Sequence, residues 1–106
     1  MKKNKKLRIT LPTLKILKVF IDNPGEILTG ADIMKRTNLS SGTTYPILLR
    51  LEAAGWFKSE WEDVNPSTVG RPRKRFYQIT SDGLYFAQKE LNDINKPNNL
   101  EGTVFA

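Results

Sequence analysis

The feature that most constrains this chain is a change of hydrophobic period at Gly55. Before that glycine, Ile47, Leu48, Leu51 and Ala54 recur at three- and four-residue intervals, the mark of one helical face. After it, WFKSEWE alternates residue by residue. Phe57, Ser59 and Trp61 share one side, and Trp56, Lys58 and Glu60 the other, which is strand patterning. Glycine at the joint ends the helix, because it enters left-handed backbone without a steric penalty. A helix that runs straight into a strand needs a core under the helix and a partner for the strand. Downstream, DVNPSTVGRP is rich in turn residues, and RKRFYQIT then returns with Arg73, Arg75, Tyr77 and Ile79 alternating against Lys74, Phe76 and Gln78. Prolines on either side of the tip suit an exposed loop. The hairpin therefore projects, and its distal arm gathers Arg71, Arg73, Lys74 and Arg75 within five residues.

Upstream, Leu11 to Ile21 reads as a first helix. Thr10 caps it, Pro12 is tolerated in its first turn, and DNPG stops it. Leu14, Ile16, Leu17, Phe20 and Ile21 form its apolar face. Glu26, Ile27 and Leu28 supply a short extended link. Thr29 then opens TGADIMKRTN, in which Thr29 and Asp32 form a capping box with Asp in place of the usual Glu. Ala31, Ile33 and Met34 are expected inside, Lys35 and Arg36 near the negative helix end, and Asn38 at a left-handed cap.

The next helix follows after about four residues, which is helix-turn-helix spacing. Pro46 cannot donate to the helix ladder. A cap at Ser41 to Thr43 would place it in the first turn or just past it. Thr43, Thr44 and Tyr45 then stand at the positive helix end, where free N–H groups suit a phosphate. Ordinary capping by Ser and Thr accounts for the same residues, and Tyr45 reads equally well as a half-buried core aromatic. Arg50 and Glu52 read as solvated or paired.

A last helix starts at Thr80 or Ser81 and ends before Pro97. Its narrow stripe is Leu84, Ala87, Gln88, Leu91 and Ile94, with Tyr85 and Phe86 beside it. With 106 residues the chain is one domain, and 17 Lys+Arg against 11 Asp+Glu give a net charge of +6, which favours a polyanionic partner. The absence of Cys and His removes disulfides, thiolate chemistry, the common zinc sites and His-based acid–base schemes. No paired carboxylates, nucleophile with base or glycine-rich phosphate loop stand at a motif spacing, so no catalytic residue, metal or cofactor is expected. No apolar run nears the roughly 20 residues that span a bilayer, and the chain reads as cytoplasmic.

Helix, helix-turn-helix, strand, basic tip, strand, helix is the winged-helix order. Within it, GTTYPILLRLEAAGW, SEW and GRPRKRFYQITSDG resemble the signature of PadR-type bacterial transcriptional regulators, over roughly Ile27 to Leu91. The resemblance implies an α+β, mainly α fold: three helices, a two-stranded wing hairpin and a C-terminal dimerisation helix. It implies a homodimeric, effector-responsive repressor that binds double-stranded DNA at a pseudo-palindromic operator. Recognition contacts carry over to Ser41, Thr43, Thr44 and Tyr45, and wing contacts to Gly70, Arg71, Pro72, Arg73 and Lys74. Arg75 stands where the family often has an aromatic residue and extends the basic wing. The dimer contact falls on Leu84, Ala87, Leu91 and Ile94. The aromatic residues that line the drug pocket of small family members are not in the last helix as tryptophan, so no multidrug pocket follows.

The expected organisation is a basic arm over 1–9, solvated or lying along phosphates, and a winged helix-turn-helix over 10–80. The C-terminal helix follows over 81–96 and a flexible tail over 97–106. The competing reading is a winged-helix accessory module that binds nucleic acid non-specifically or docks on a protein partner.

Overall fold

Thr10 sets the start of the first helix, α1 (Leu11–Asp22): its side-chain oxygen accepts the amide of Thr13 at 3.4 Å, and Pro12 sits in the first turn. In the computed structural model, which describes residues 9–95, the elements run α1, β1 (Leu28–Thr29), α2 (Gly30–Thr37), α3 (Ser41–Ala53), β2 (Phe57–Trp61), α4 (Pro66–Val69), β3 (Arg75–Ile79) and α5 (Ser81–Asn95). The first eight residues of the expected basic arm and the expected tail over 97–106 lie outside the described residues. Ile9 packs against the core.

The capping box of α2 forms as its residues require. Asp32 N donates to Thr29 Oγ1 at 3.1 Å, and Thr29 N donates to Asp32 Oδ2 at 3.1 Å. Asn38 takes the left-handed cap at φ 61°. Ala31, expected inside, is exposed. Ile33 fills that role, together with Thr37, whose hydroxyl satisfies itself on Ile33 O at 2.8 Å. Arg36 grips Glu26 with both Nη atoms, at 2.8 and 2.6 Å, and holds its carboxyl below the usual range.

The wing hairpin pairs β2 with β3 antiparallel, Phe57 opposite Ile79, Ser59 opposite Tyr77 and Trp61 opposite Arg75. Behind it the short link at Leu28–Thr29 forms a third strand on the other edge of β3, giving the order β1-β3-β2. The turn-rich tip contains the one-turn helix α4, whose Asn65 Oδ1 accepts the amide of Ser67 at 2.9 Å, and Gly70 ends it at φ 74°. A glycine suits that backbone because an L side chain is strained there.

The core lies between α1, α2, α3, the sheet and α5. Ile16, Leu17, Phe20, Ile33, Leu48, Leu51, Trp56 and Phe57 are essentially closed to solvent. Phe20 meets Phe57 edge-on at 4.8 Å between centroids, and Trp56 stacks on Phe86 at 5.8 Å. Trp56 precedes the strand and turns inward, so it does not share the outer face expected from the alternation. Thr80 locks the base of the wing to α5. Its hydroxyl lies 2.7 Å from Gly55 O and 3.0 Å from Trp56 O, and it accepts the amide of Gly83 at 2.9 Å. Gly83 in turn packs so closely on the Trp56 backbone that a Cβ there would collide with the carbonyl.

Candidate nucleic-acid interface

Helix α3 begins one residue earlier than its proline suggests. Ser40 is the N-cap, and its carbonyl receives the amides of Thr43 and Thr44 at 3.2 and 2.9 Å. Pro46 is therefore inside the helix, not in the first turn, which corrects the expectation of a later cap. The ladder loses one bond, the amide that would have reached Gly42 O. A proline in a helix interior costs on the order of 3 kcal/mol, and the burial of Ile47, Leu48 and Leu51 on the inner face opposes that cost.

This start fixes which side chains face outward. Ser41 is exposed, Thr43 is half-buried with its hydroxyl 3.3 Å from Ser40 Oγ, and Tyr45 is 44% exposed. Tyr45 is thus a surface aromatic, and its hydroxyl end lies against Gly30 at the start of α2, where a Cβ would strike the ring. Thr44 is corrected: at 0% exposure it cannot reach a partner, and its Oγ1 has no hydrogen-bond partner. The reason was available in the spacing. Thr44 stands three and four residues before Ile47 and Leu48, on the same helical face. Leu49 is 69% exposed and stands one turn beyond Tyr45 on the same outer face. Its absence from the Ile47–Leu48–Leu51 stripe was the signal for it.

The wing cations divide into two kinds. Arg71 forks onto Glu62 at 2.7 and 2.9 Å, and the Lys74 amide donates to the same carboxylate at 3.0 Å. These bonds, Arg71 first, pull Glu62 down to about 2. Arg75 is tied down more fully. Its Nε donates to Ser59 Oγ at 2.9 Å, its Nη2 lies 3.3 Å from both Glu52 oxygens, and its guanidinium stands 5.1 Å from the Trp61 ring centroid. Ser59 also donates to Glu52 at 2.7 Å. Arg75 thereby braces the tip-side end of the strand pair to the C-terminal end of α3, and its Nη1 takes no part in these bonds. Arg73 uses only its Nε, on Val64 O at 2.9 Å, and neither it nor the exposed Lys74 is ion-paired with an acid among the described residues. Gly70 and Pro72 are exposed and shape the tip.

Tyr45, Arg73 and Lys74 meet in one cleft of about 500 Å³ with Trp61, Arg75 and the floor residue Tyr77, bounded by the N-terminal turn of α2. Burial raises the pKa of the Tyr77 phenol, so it stays neutral there. The cleft joins the outer face of α3 to the wing.

A second groove of about 500 Å³ lies on the opposite elements, with Leu11, Leu14, Val19 and Leu91 between Lys15 and Lys18. Leu91 is half-buried there, Leu84 is half-buried against the core, and the side chain of Ile94 lies outside the described residues. Ala87 is corrected as a dimer contact: at 0% exposure it belongs to this chain's own core. The middle of a narrow stripe on a helix packed against α1 points inward, and only its flanks remain free. Among the described residues no group of acids is disposed to hold a metal, and no helix is long and apolar enough to cross a membrane.

Residues 26–89 match the model of the transcriptional regulator PadR-like family. A solved PadR-like transcription factor from Bacteroides fragilis is similar at 20% identity and a TM-score of 0.69, covering 87% of each chain. A PadR family transcription regulator from Clostridium difficile is similar at 23% identity and a TM-score of 0.63, over 88% of this chain and 98% of that one. BpsR of Bordetella bronchiseptica, whose DNA binding is regulated by 6-hydroxynicotinic acid, shares the fold at 16% identity and a TM-score of 0.66, over 91% of this chain and 74% of its own. No curated protein sequence matches the chain.

Proposed function

The chain belongs to the PadR-like family of transcriptional regulators, and from that premise we propose that it acts as a homodimeric repressor on a pseudo-palindromic operator. The outer face of α3 enters the major groove. Ser41 and Thr43 offer hydroxyls there, Tyr45 a phenol, and Leu49 an apolar surface for a thymine methyl group. Arg73 and Lys74 hold flanking phosphates, which position the helix without reading sequence. Arg71 joins them to the extent that phosphate displaces Glu62. One observation carries the reading: the exposed Tyr45 and two cations that form no ion pair among the described residues, Arg73 and Lys74, line the same cleft.

None of the α3 side chains named here carries the paired groups that a bidentate grip on a base requires. Methyl contacts, single hydroxyl bonds and DNA shape then supply most of the discrimination. The groove between α1 and α5, with Leu11, Leu14 and Leu91, is the surface on which a second protomer would set the spacing of two half-sites. Release by a small-molecule effector follows the pattern of BpsR. Function inside the cytoplasm fits a DNA-binding role.

Footprinting of the full chain on DNA next to its gene tests the reading. A discrete protected region with two-fold symmetry supports it. Uniform coverage at all sequences would instead mark an accessory module that binds nucleic acid non-specifically.

A further inference from the structure

Trp61 is the last residue of β2, is 60% exposed, and lines the cleft between α3 and the wing. An indole so open to water loses the hydrophobic gain of burial, yet its position is fixed. Arg75 faces it across the strand pair and stands 5.1 Å from its centroid, and Arg75 is itself anchored on Ser59 and Glu52. Those anchors take the Nε and Nη2 of Arg75 and hold its guanidinium at the ring. The indole forms one rim of the cleft and Tyr45 lines it from α3, with Arg73 and Lys74 in the same wall.

We propose that this cleft seats one sugar–phosphate unit of the DNA backbone, with the Trp61 indole packed on the deoxyribose and Arg73 and Lys74 on the phosphate. The proposal rests on the DNA-binding reading above. A nucleic-acid strand alternates anionic phosphate with the apolar edge of the sugar. The cleft likewise sets the Arg73 and Lys74 cations beside one aromatic ring. Asp32 directs the register. Its carboxylate sits in the α2 capping box, bonded to Thr29, so the N-terminal turn of α2 already has its anion. Phosphate is therefore drawn to the Arg73–Lys74 side. A small anion lodged inside would leave the outer side of the indole in water, whereas a strand passing across the rim covers it.

The two tryptophans make the test direct. Trp56 is sealed in the core at 0% exposure, so acrylamide-accessible emission comes from Trp61. The protein would be titrated with a mixed-sequence duplex of about 20 base pairs at low salt, since a backbone contact needs no operator. Binding would be followed by anisotropy of a labelled duplex, and Trp61 accessibility by acrylamide quenching. Saturating duplex is expected to lower the quenching constant by about threefold or more. Trp61→Ala should weaken binding by about tenfold, the order of one lost aromatic contact. Trp61→Phe keeps a ring and should stay within about threefold of the parent. Neither change should alter the salt slope, because neither removes a charge. Duplex binding with unchanged quenching would overturn the proposal and leave the DNA reading standing. Equal protection of Trp61 by inorganic phosphate or benzoate alone would overturn it in favour of a small-anion site. No duplex binding by anisotropy would overturn both.

Discussion

The two faces of α3 are made of similar residues used in opposite ways. The inner face holds Thr44, Ile47, Leu48 and Leu51, all essentially buried, while the outer face holds Ser41, Tyr45, Pro46 and Leu49 in solvent. A threonine sits on the inner face and a leucine on the outer, so polarity alone does not separate them. Helical phase does. The wing repeats the lesson with cations: Arg75, opposite Trp61 in the strand pair, is held by Glu52, Ser59 and Trp61, and Arg71 by Glu62, whereas Arg73 and Lys74 form no ion pair among the described residues. In both regions the groups left unpaired at the surface are the ones that the proposed DNA contact uses.

The largest break in this comparison should come from the inner face. Leu48→Ala removes a fully buried side chain and leaves a cavity, which costs about 2–5 kcal/mol of folding stability. Chemical denaturation measures it, and a loss below about 1 kcal/mol would mean that the inner face is not tightly packed. On the outer face Leu49→Ala should leave stability within about 0.5 kcal/mol, as surface changes do. It should cost about 1 kcal/mol or more in operator affinity if a thymine methyl contact is lost. A competition gel shift against operator and mixed-sequence DNA checks this, and a loss equal on both would leave Leu49 without a reading role.

Thr44→Val sharpens the boundary between the faces. It removes a buried hydroxyl that has no partner, so stability should rise by about 1 kcal/mol, with DNA affinity unchanged. A loss of operator preference would show that Thr44 turns outward on DNA.

The smallest effect lies at the wing tip. Glu62 is lowered to about 2, first by Arg71 and then by the Lys74 amide. Its folded pKa lies below the ordinary 4.5, so the stabilisation of the tip is complete above that value and is lost as pH falls towards about 2. The Arg71 side chain is 40% exposed and that of Glu62 18%, and pairs so near the surface add little to global stability. A carboxyl-carbon NMR titration should therefore show a midpoint near 2 that rises towards 4.5 in Arg71→Ala, with little change in global stability at neutral pH.

Much of this was legible in the sequence because it is periodic or local. The capping box at Thr29 and Asp32, the left-handed Asn38 and the change of period at Gly55 are signals contained within a few residues. Three things were not. The strand at Leu28–Thr29 exists only because β3 offers an edge to it, a long-range pairing that two residues cannot announce. The pairing of Arg71 and Arg75 with Glu62 and Glu52 depends on side chains brought together across 9 and 23 positions, so four clustered cations looked equivalent. Ala87 and Thr44 differ for another reason: a hydroxyl cluster and a helix stripe each straddle two faces, and these two residues stand on the side that faces the core.

On the DNA-binding reading Arg73 and Lys74 are the wing groups that meet phosphate, while Arg75 is a brace. The salt dependence of operator affinity tests it most directly. Arg73→Ala with Lys74→Ala should flatten the slope of log affinity against log salt by about two units, one per lost phosphate contact, whereas Arg75→Ala should leave that slope unchanged. A slope that is unaltered in the double variant, or that flattens for Arg75→Ala instead, would contradict the claim.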